Sequence, residues 1–196
     1  KVINEIEIDL QSKNKMFRIL QGDVGSGKTI VSLIGVANVV ESGYQCAFMA
    51  PTSILAIQHY ELARKIFKNI NIKIALLTGK TDYKQKKEIL KDLENNKIDL
   101  VIGTHSLFQK KIIFKKLGFI IVDEQHKFGV KQRMDLAKKG GIDCDILLMS
   151  ATPIPRTMML AVYGDMEISK ITEKPLNRKK IITLSKPEEK INELNR

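Results

Sequence analysis

Gly22-Asp23-Val24-Gly25-Ser26-Gly27-Lys28-Thr29 fits the phosphate-loop pattern of Gly, four residues, Gly, Lys and Ser or Thr without a mismatch. The apolar stretch Arg18-Ile19-Leu20-Gln21 leads into it and a helical pattern leads out from Thr29. Backbone N–H groups of the loop and of the helix N-terminus can therefore converge on the phosphates of a nucleotide. Glycine is needed where a side chain would block that approach or forbid the backbone angles. In such a loop Lys28 neutralises the β- and γ-phosphates and the Thr29 hydroxyl ligates Mg²⁺. Every residue from Gly22 through Thr29 is a candidate nucleotide-binding residue, with a nucleotide and Mg²⁺ as the expected ligands.

Moving outward from the loop, short apolar runs recur at Gln45–Met49, Ile72–Leu77, Leu100–Ile102, Phe119–Val122 and Ile146–Met149. Helical patterns separate them at 30 to 41, 53 to 68, 82 to 94 and 130 to 138, several opened by Thr, Ser or Asp and one closed by Gly43. This alternation predicts β-α units around a mostly parallel sheet. Strands apolar on both faces require helices on both sides, so the fold class is a three-layer α/β domain. Val2, Ile3, Ile6 and Leu10 predict a further amphipathic helix with no capping residue before it. After Gly164 the pattern changes, with a run at Ile168–Ile171, a new apolar strand at Ile181–Leu184 and a helical stretch from Pro187 to Leu194.

Asp123-Glu124-Gln125-His126 follows the buried run Phe119–Val122 directly. These polar groups thus emerge at the carboxyl edge of a strand, where open α/β sheets bind ligands. There Asp123 can hold Mg²⁺, usually through water, and Glu124 can orient or deprotonate the water that attacks the γ-phosphorus. Ser150-Ala151-Thr152-Pro153 ends another apolar strand. Its two hydroxyls can bond the acidic tetrapeptide if the strands are neighbours, linking hydrolysis to movement; a plain Ser/Thr turn capping a helix at 156 to 163 is the alternative. Ala50-Pro51-Thr52 and Gly103-Thr104-His105-Ser106 place small polar groups at two more strand ends. A sugar-phosphate strand could lie against them, and the same residues would equally serve as helix N-caps. His59 and His105 are not assigned as ligands.

The charge balance is basic, with 33 Lys plus Arg against 22 Asp plus Glu, a net +11. That is the electrostatic footprint of a phosphate-backbone binder, although runs such as Lys84-Gln85-Lys86-Lys87 also read as a solvated helix face. The two cysteines, Cys46 and Cys144, have no partner at metal-ligand spacing and are expected as buried thiols. No apolar stretch reaches the length of a membrane span, and the opening residues carry no secretory signal, so the expected compartment is the cytoplasm.

In this order and at these strand ends, the phosphate loop, Pro51-Thr52, Gly103-Thr104-His105, Asp123-Glu124-Gln125-His126 and Ser150-Ala151-Thr152 resemble motifs I, Ia, Ib, II and III of superfamily 2 helicases. The resemblance covers residues 1 to about 175. Within the superfamily, Leu20 to Thr29, Asp123-Glu124-Gln125-His126-Lys127-Phe128-Gly129-Val130 and Ser150-Ala151-Thr152-Pro153-Ile154-Pro155-Arg156-Thr157 are similar to the RecG branch. The transcription-repair coupling translocases of the Mfd type share the last phrase. They usually carry a second Glu where this chain has Gln125, and Phe or a similar residue in place of Ser26.

The resemblance implies a RecA-like ATP-binding domain over 1–175 and the start of a truncated second RecA-like domain over 176–196. It also implies a bacterial, ATP-driven 3′-to-5′ DNA helicase that remodels stalled forks and Holliday junctions in recombination and repair. Carried over to this chain, it makes Glu124 the catalytic base, Thr29 and Asp123 the Mg²⁺ residues, and Gln125, His126, Ser150 and Thr152 the residues that couple hydrolysis to motion. Pro51, Thr52, Thr104 and His105 match DNA-facing positions. The family's adenine-recognition motif, its N-terminal DNA-wedge domain and the second-domain arginine fingers are not in these residues. The resemblance therefore implies one part of a longer protein, weakly active in isolation. A nucleotide-binding switch without motor activity and a phosphate-loop kinase are the readings from other classes; Glu124 speaks against the first and the lack of an Arg-rich lid against the second.

Overall fold

Period-two burial organises the sheet. Along β1 (Phe17–Gly22), β2 (Gln45–Met49), β4 (Leu100–Gly103), β5 (Leu117–Val122) and β6 (Asp145–Ser150), successive residues enter opposite hydrophobic layers. Leu20, Phe48, Ile102, Ile121 and Met149 pack on one side, under α1 (Val2–Gln11), α2 (Lys28–Glu41) and α3 (Ser53–Ile66). Ile19, Ala47, Val101, Ile120 and Leu148 pack on the other, under α4 (Tyr83–Glu94) and a 3₁₀ turn at His105–Phe108. With β3 (Ile74–Leu77) and β7 (Glu167–Ile171) the sheet has seven strands in the order β3-β4-β2-β5-β6-β1-β7, every pair parallel. The domain is therefore a three-layer α/β fold, as its apolar runs predict. The structure, a computed structural model, describes residues 1–109, 111–124, 144–152 and 166–173. The helix expected at 130 to 138 and the segment 176–196 lie outside them.

Helix ends follow local chemistry. The Thr52 hydroxyl caps α3 by accepting from the Leu55 N–H at 3.3 Å, and Asp82 caps α4 by accepting from the Lys84 N–H at 3.0 Å. After α2, Gly43 takes φ 81° and its N–H donates to Val40 O at 2.9 Å, ending the helix in the left-handed conformation that glycine adopts at least cost. As its sequence suggests, α1 begins without a side-chain cap. β3 starts two residues later than the apolar pattern predicts, because the Lys73 N–H turns aside to donate to the Asp99 carboxylate at 2.7 Å. The run at 168 to 171, where the sequence pattern changes, is β7, an edge strand in register with β1.

Two polar side chains stitch these layers together from inside. Gln45, 1% exposed, donates from Nε2 to Leu93 O and Ile98 O and accepts at Oε1 from the Lys115 and Lys116 N–H groups. All the capacity of its amide is used. Arg18, 4% exposed, donates to Asp9 at 2.6 Å, to Ser169 Oγ at 2.9 Å and to Glu167, while Ser169 Oγ donates to Glu5. Burial alone would lower the Arg18 pKa, but the Asp9 hydrogen bond and the charges of Asp9, Glu167 and Glu5 more than offset it and hold the guanidinium above its ordinary value.

Arg18 thereby ties α1 and β7 to β1. Removing one partner of a buried ion cluster typically costs about 3–5 kcal/mol. Here Asp9, Glu5 and Glu167 keep 21%, 30% and 68% of their side-chain exposure, so water takes over part of the role of Arg18. Arg18→Ala is expected to cost about 2–3 kcal/mol. In amide hydrogen exchange, α1 and β7 should lose protection while β2 and β4 keep theirs; uniform protection across all four would contradict this account.

Both cysteines are buried free thiols, as expected. Burial pushes Cys46 well above the usual thiol range and Cys144 up to about 12, so neither is a nucleophile. No helix among the described residues is long and apolar enough to cross a membrane.

Candidate nucleotide site at the carboxyl edge of the sheet

Strand order decides which motifs meet. β6 lies between β1 and β5, so the loop after β1, Ser150 at the end of β6 and Asp123 after β5 emerge side by side on one sheet edge. The register pairs Gln21 with Ser150 and Val122 with Leu148. On the other side of β5, β2 and β4 bring up Pro51, Thr52 and Thr104.

The loop has the geometry its glycines promise. Gly25 and Gly27 take φ 80° and 94°, the left-handed region where a side chain is strained. Gly27 is the N-cap residue of α2 and supplies no side-chain bond to the first turn, so the first-turn N–H groups and the positive end of the helix dipole receive no side-chain acceptor from their cap. A Cβ on Gly22 would come within 2.5 Å of Ser26 Oγ and 3.1 Å of Ile171 Cβ, so any larger residue would have to push the Ser26 hydroxyl aside. The Lys28 ammonium donates to Gly22 O at 2.7 Å and Asp23 O at 3.0 Å, and the loop wraps around its own lysine. Asp23, Val24 and Gly25 are exposed, Val24 by 76%; Ser26, Gly27 and Thr29 are half-buried.

Ser26 Oγ is buried without a hydrogen-bond partner among the described residues. An orphaned buried hydroxyl in a loop that also carries the Lys28 ammonium fits an anionic, oxygen-rich ligand such as a polyphosphate. Among the described residues no group of three His, Cys, Asp or Glu could hold a metal by itself. That suits Mg²⁺, which is usually held by one or two protein oxygens together with substrate phosphates. The residues present therefore fit a Mg²⁺-nucleotide.

Asp123 is 7% exposed, and its N–H continues the ladder by donating to Met49 O at 2.8 Å. Its Oδ2 lies 2.8 Å from His59 Nε2. Sequence reasoning left His59 unassigned; the available signal was a polar residue on the buried stripe of α3, between Ala56 and Ala63. Glu124, half-buried, has φ 50°. A left-handed non-glycine residue is uncommon and clusters at functional sites. Here the chain leaves the extended line of β5 at this residue, so Glu124 does not continue the side-chain alternation that buries Asp123.

Ser150 is fully buried, and its hydroxyl bonds Thr152, with Thr152 Oγ1 at 3.1 Å and the Thr152 N–H donating back at 3.2 Å. β5 and β6 are neighbours, as a link to the acidic motif requires, but in this structure the two hydroxyls bond each other. Pro51 is half-buried and Thr52 exposed, whereas Thr104 is 7% exposed with its hydroxyl 3.3 Å from Ser106 Oγ. Gln125, His126 and the side chain of His105 lie outside the described residues. A polar cleft of about 980 Å³ opens at the opposite sheet edge, lined by Glu7, Lys15, Asn38, Tyr44 and Asp145 among others. It shares no residue with the motifs, which lie at the carboxyl edge.

The DEAD/DEAH box helicase family model matches residues 1–160. The chain is 51% identical over 190 residues to the ATP-dependent DNA helicase RecG of Thermotoga maritima, covering 97% of this chain and 24% of that protein. The structure of RecG bound to a three-way DNA junction superposes with a TM-score of 0.82 at 46% identity, over 97% of this chain and 25% of the other. A DEAD box protein from Methanococcus jannaschii follows at a TM-score of 0.66 and 25% identity, over 87% of this chain and 49% of that one. The chain thus spans about a quarter of the length of the RecG relatives it matches. It belongs to the DEAD/DEAH box helicase family, and within that family it is similar over nearly its whole length to about a quarter of RecG.

Proposed function

We propose that this chain is the ATP-binding motor domain of a bacterial, cytoplasmic DNA helicase that remodels branched DNA, such as stalled forks and Holliday junctions, in recombination and repair. The observation that carries the reading is the meeting, on one sheet edge, of a lysine-bearing phosphate loop with the Asp123-Glu124 pair. A nucleotide switch needs the loop; it has no need of a positioned acid beside the metal-binding one. The branched-DNA assignment is supported by the similarity to RecG and to a RecG structure on a three-way junction. These relatives do not favour the Mfd alternative.

In this reading Gly22 to Thr29 hold the phosphates of ATP, and Lys28 exchanges its loop carbonyls for phosphate oxygens. Thr29 and Asp123 hold Mg²⁺, which supplies charge neutralisation at the transferring phosphoryl group. Glu124 orients the attacking water and accepts its proton. Gln125, His126, Ser150 and Thr152 couple hydrolysis to movement. Pro51, Thr52, Thr104 and His105 form the DNA-facing edge, with Thr104 requiring a change of packing to reach a strand. The second RecA-like domain, beginning within 176–196, and an N-terminal DNA-wedge domain complete the machine, and the net charge of +11 favours a polyanionic partner.

The test is ATP turnover by the full-length protein on DNA of one length in two shapes. A forked substrate should stimulate hydrolysis more than a linear duplex, and the affinity for either should fall steeply with salt. Equal rates with and without DNA would sink the motor reading in favour of the nucleotide switch.

A further inference from the structure

We propose that His59 is a positioning residue for the metal-binding acid: by donating to Asp123 it fixes the rotamer of that carboxylate and so sets the affinity of the site for Mg²⁺. The inference rests on the ATPase reading above and assigns a role to a residue outside the motifs.

The geometry is specific. α3 buries a narrow stripe of Ala56, His59 and Ala63, and the two alanines let the helix lie close to the sheet. Between them His59 is 9% exposed, with its ring 4.6 Å from that of Phe48 and tilted by 40°. Phe48 belongs to β2, the strand beside β5. Burial alternates along β5, with Phe119 and Ile121 in the layer under α3 and Ile120 and Val122 in the other, so the next residue, Asp123, returns to the α3 side. The imidazole therefore meets the carboxylate in a place both can hardly leave, 2.8 Å apart and each under a tenth exposed.

An ionised carboxylate only accepts hydrogen bonds, so Nε2 carries the proton and donates to Oδ2. The Asp123 backbone is pinned to β2 through Met49 O, and its side chain is pinned to α3 through His59. What is left for a cation is a carboxylate of fixed direction with Oδ1 uncommitted to the imidazole. Partners that orient a metal ligand typically change metal affinity or activity by about 10–100-fold when removed. A carboxylate freed to turn within the buried layer would have to be reoriented at each binding event.

The experiment compares His59→Phe, His59→Gln and His59→Asn in the full-length protein. Phe keeps a ring against Phe48 and loses the N–H. The Gln amide reaches the position of Nε2, and the Asn amide stops about one bond short of it. The readout is equilibrium binding of a fluorescent ADP analogue as Mg²⁺ is titrated, together with kcat and KM for ATP at saturating Mg²⁺. The expected result is a Mg²⁺ midpoint raised about 10–100-fold in the Phe and Asn variants, metal-free nucleotide binding unchanged, kcat lowered more than KM is raised, and a midpoint near native for Gln. A native midpoint in the Phe variant, or Gln and Asn behaving alike, overturns the proposal, since either outcome means that packing alone is required of this position. If the unmodified protein binds nucleotide with no dependence on Mg²⁺, the ATPase reading itself fails, and this inference with it.

Discussion

The full-length protein carrying Glu124→Gln is expected to bind ATP with native affinity and to hydrolyse it about 10²–10⁴-fold more slowly, on forked DNA as without it. Gln has the shape of Glu but cannot take a proton at neutral pH, so the substitution isolates the proton acceptor from the packing around it. Asp123 cannot substitute, because one of its oxygens is engaged by His59 and the residue is 7% exposed. Glu124 differs from its neighbour in both respects that matter: it is half-buried and its backbone turns to φ 50°. That turn costs on the order of 1 kcal/mol for a non-glycine residue, a cost that a surface turn without function would more cheaply relieve with glycine. Rapid-quench measurement of the hydrolysis step, beside equilibrium binding of ATP, checks the prediction. A variant that turns over within about tenfold of the native rate would remove Glu124 from the role of base.

The largest effect on stability is expected far from the chemistry, at Gln45→Leu, which should cost the domain about 2–4 kcal/mol. The bonds lost are those from Nε2 to Leu93 O at 3.0 Å and Ile98 O at 2.8 Å, and those to Oε1 from the Lys115 and Lys116 N–H groups at 2.9 and 3.1 Å. Each backbone group left buried without a partner costs about 1–3 kcal/mol; Lys115 and Lys116 are exposed, so water reaches their N–H groups and the cost falls mainly on the two carbonyls. Leu93 O keeps a second donor, the Asn96 N–H at 3.2 Å, which places the sum toward the lower end. Leucine has nearly the volume of glutamine, so no cavity contributes and the loss is one of hydrogen bonds. Amide exchange in the full-length protein reads the result as earlier opening of β2, β4 and the start of β5. Protection of these strands at the native level would show that water reaches the orphaned groups.

The two sites differ in how far the sequence foretells them. Glu124 is legible because it stands beside Asp123 at the end of a run apolar on both faces, and a run of that kind has only one place to go, the middle of a parallel sheet. Gln45 and Arg18 are not legible. Each looks like a polar residue opening a strand, and what makes them structural includes partners 48 to 151 positions away along the chain. The run at Ile168–Ile171 is legible but its place in the sheet is not, for a related reason: Glu167-Ile168-Ser169-Lys170-Ile171 alternates like an exposed strand, and the guanidinium that Ser169 and Glu167 share helps hold it beside β1. The 3₁₀ turn at His105–Phe108 is four residues long, too short for any periodicity to declare itself.

By itself the sequence determined the class of fold, the phosphate loop and the two acids, because those depend on local rules: backbone freedom at glycine, burial by period two or 3.6, and polar residues where a buried strand ends. Tertiary structure alone decided the strand order, which sets the Ser150 end of β6 between the loop and the acids. It also delivered His59 from α3 to Asp123. The physical reason is that hydrogen bonds between side chains act over about 3 Å and are indifferent to separation along the chain. The burial of His59 can be read from the stripe of α3, but its pairing with an aspartate 64 residues on cannot, and only the closing of the sheet brings the two within reach.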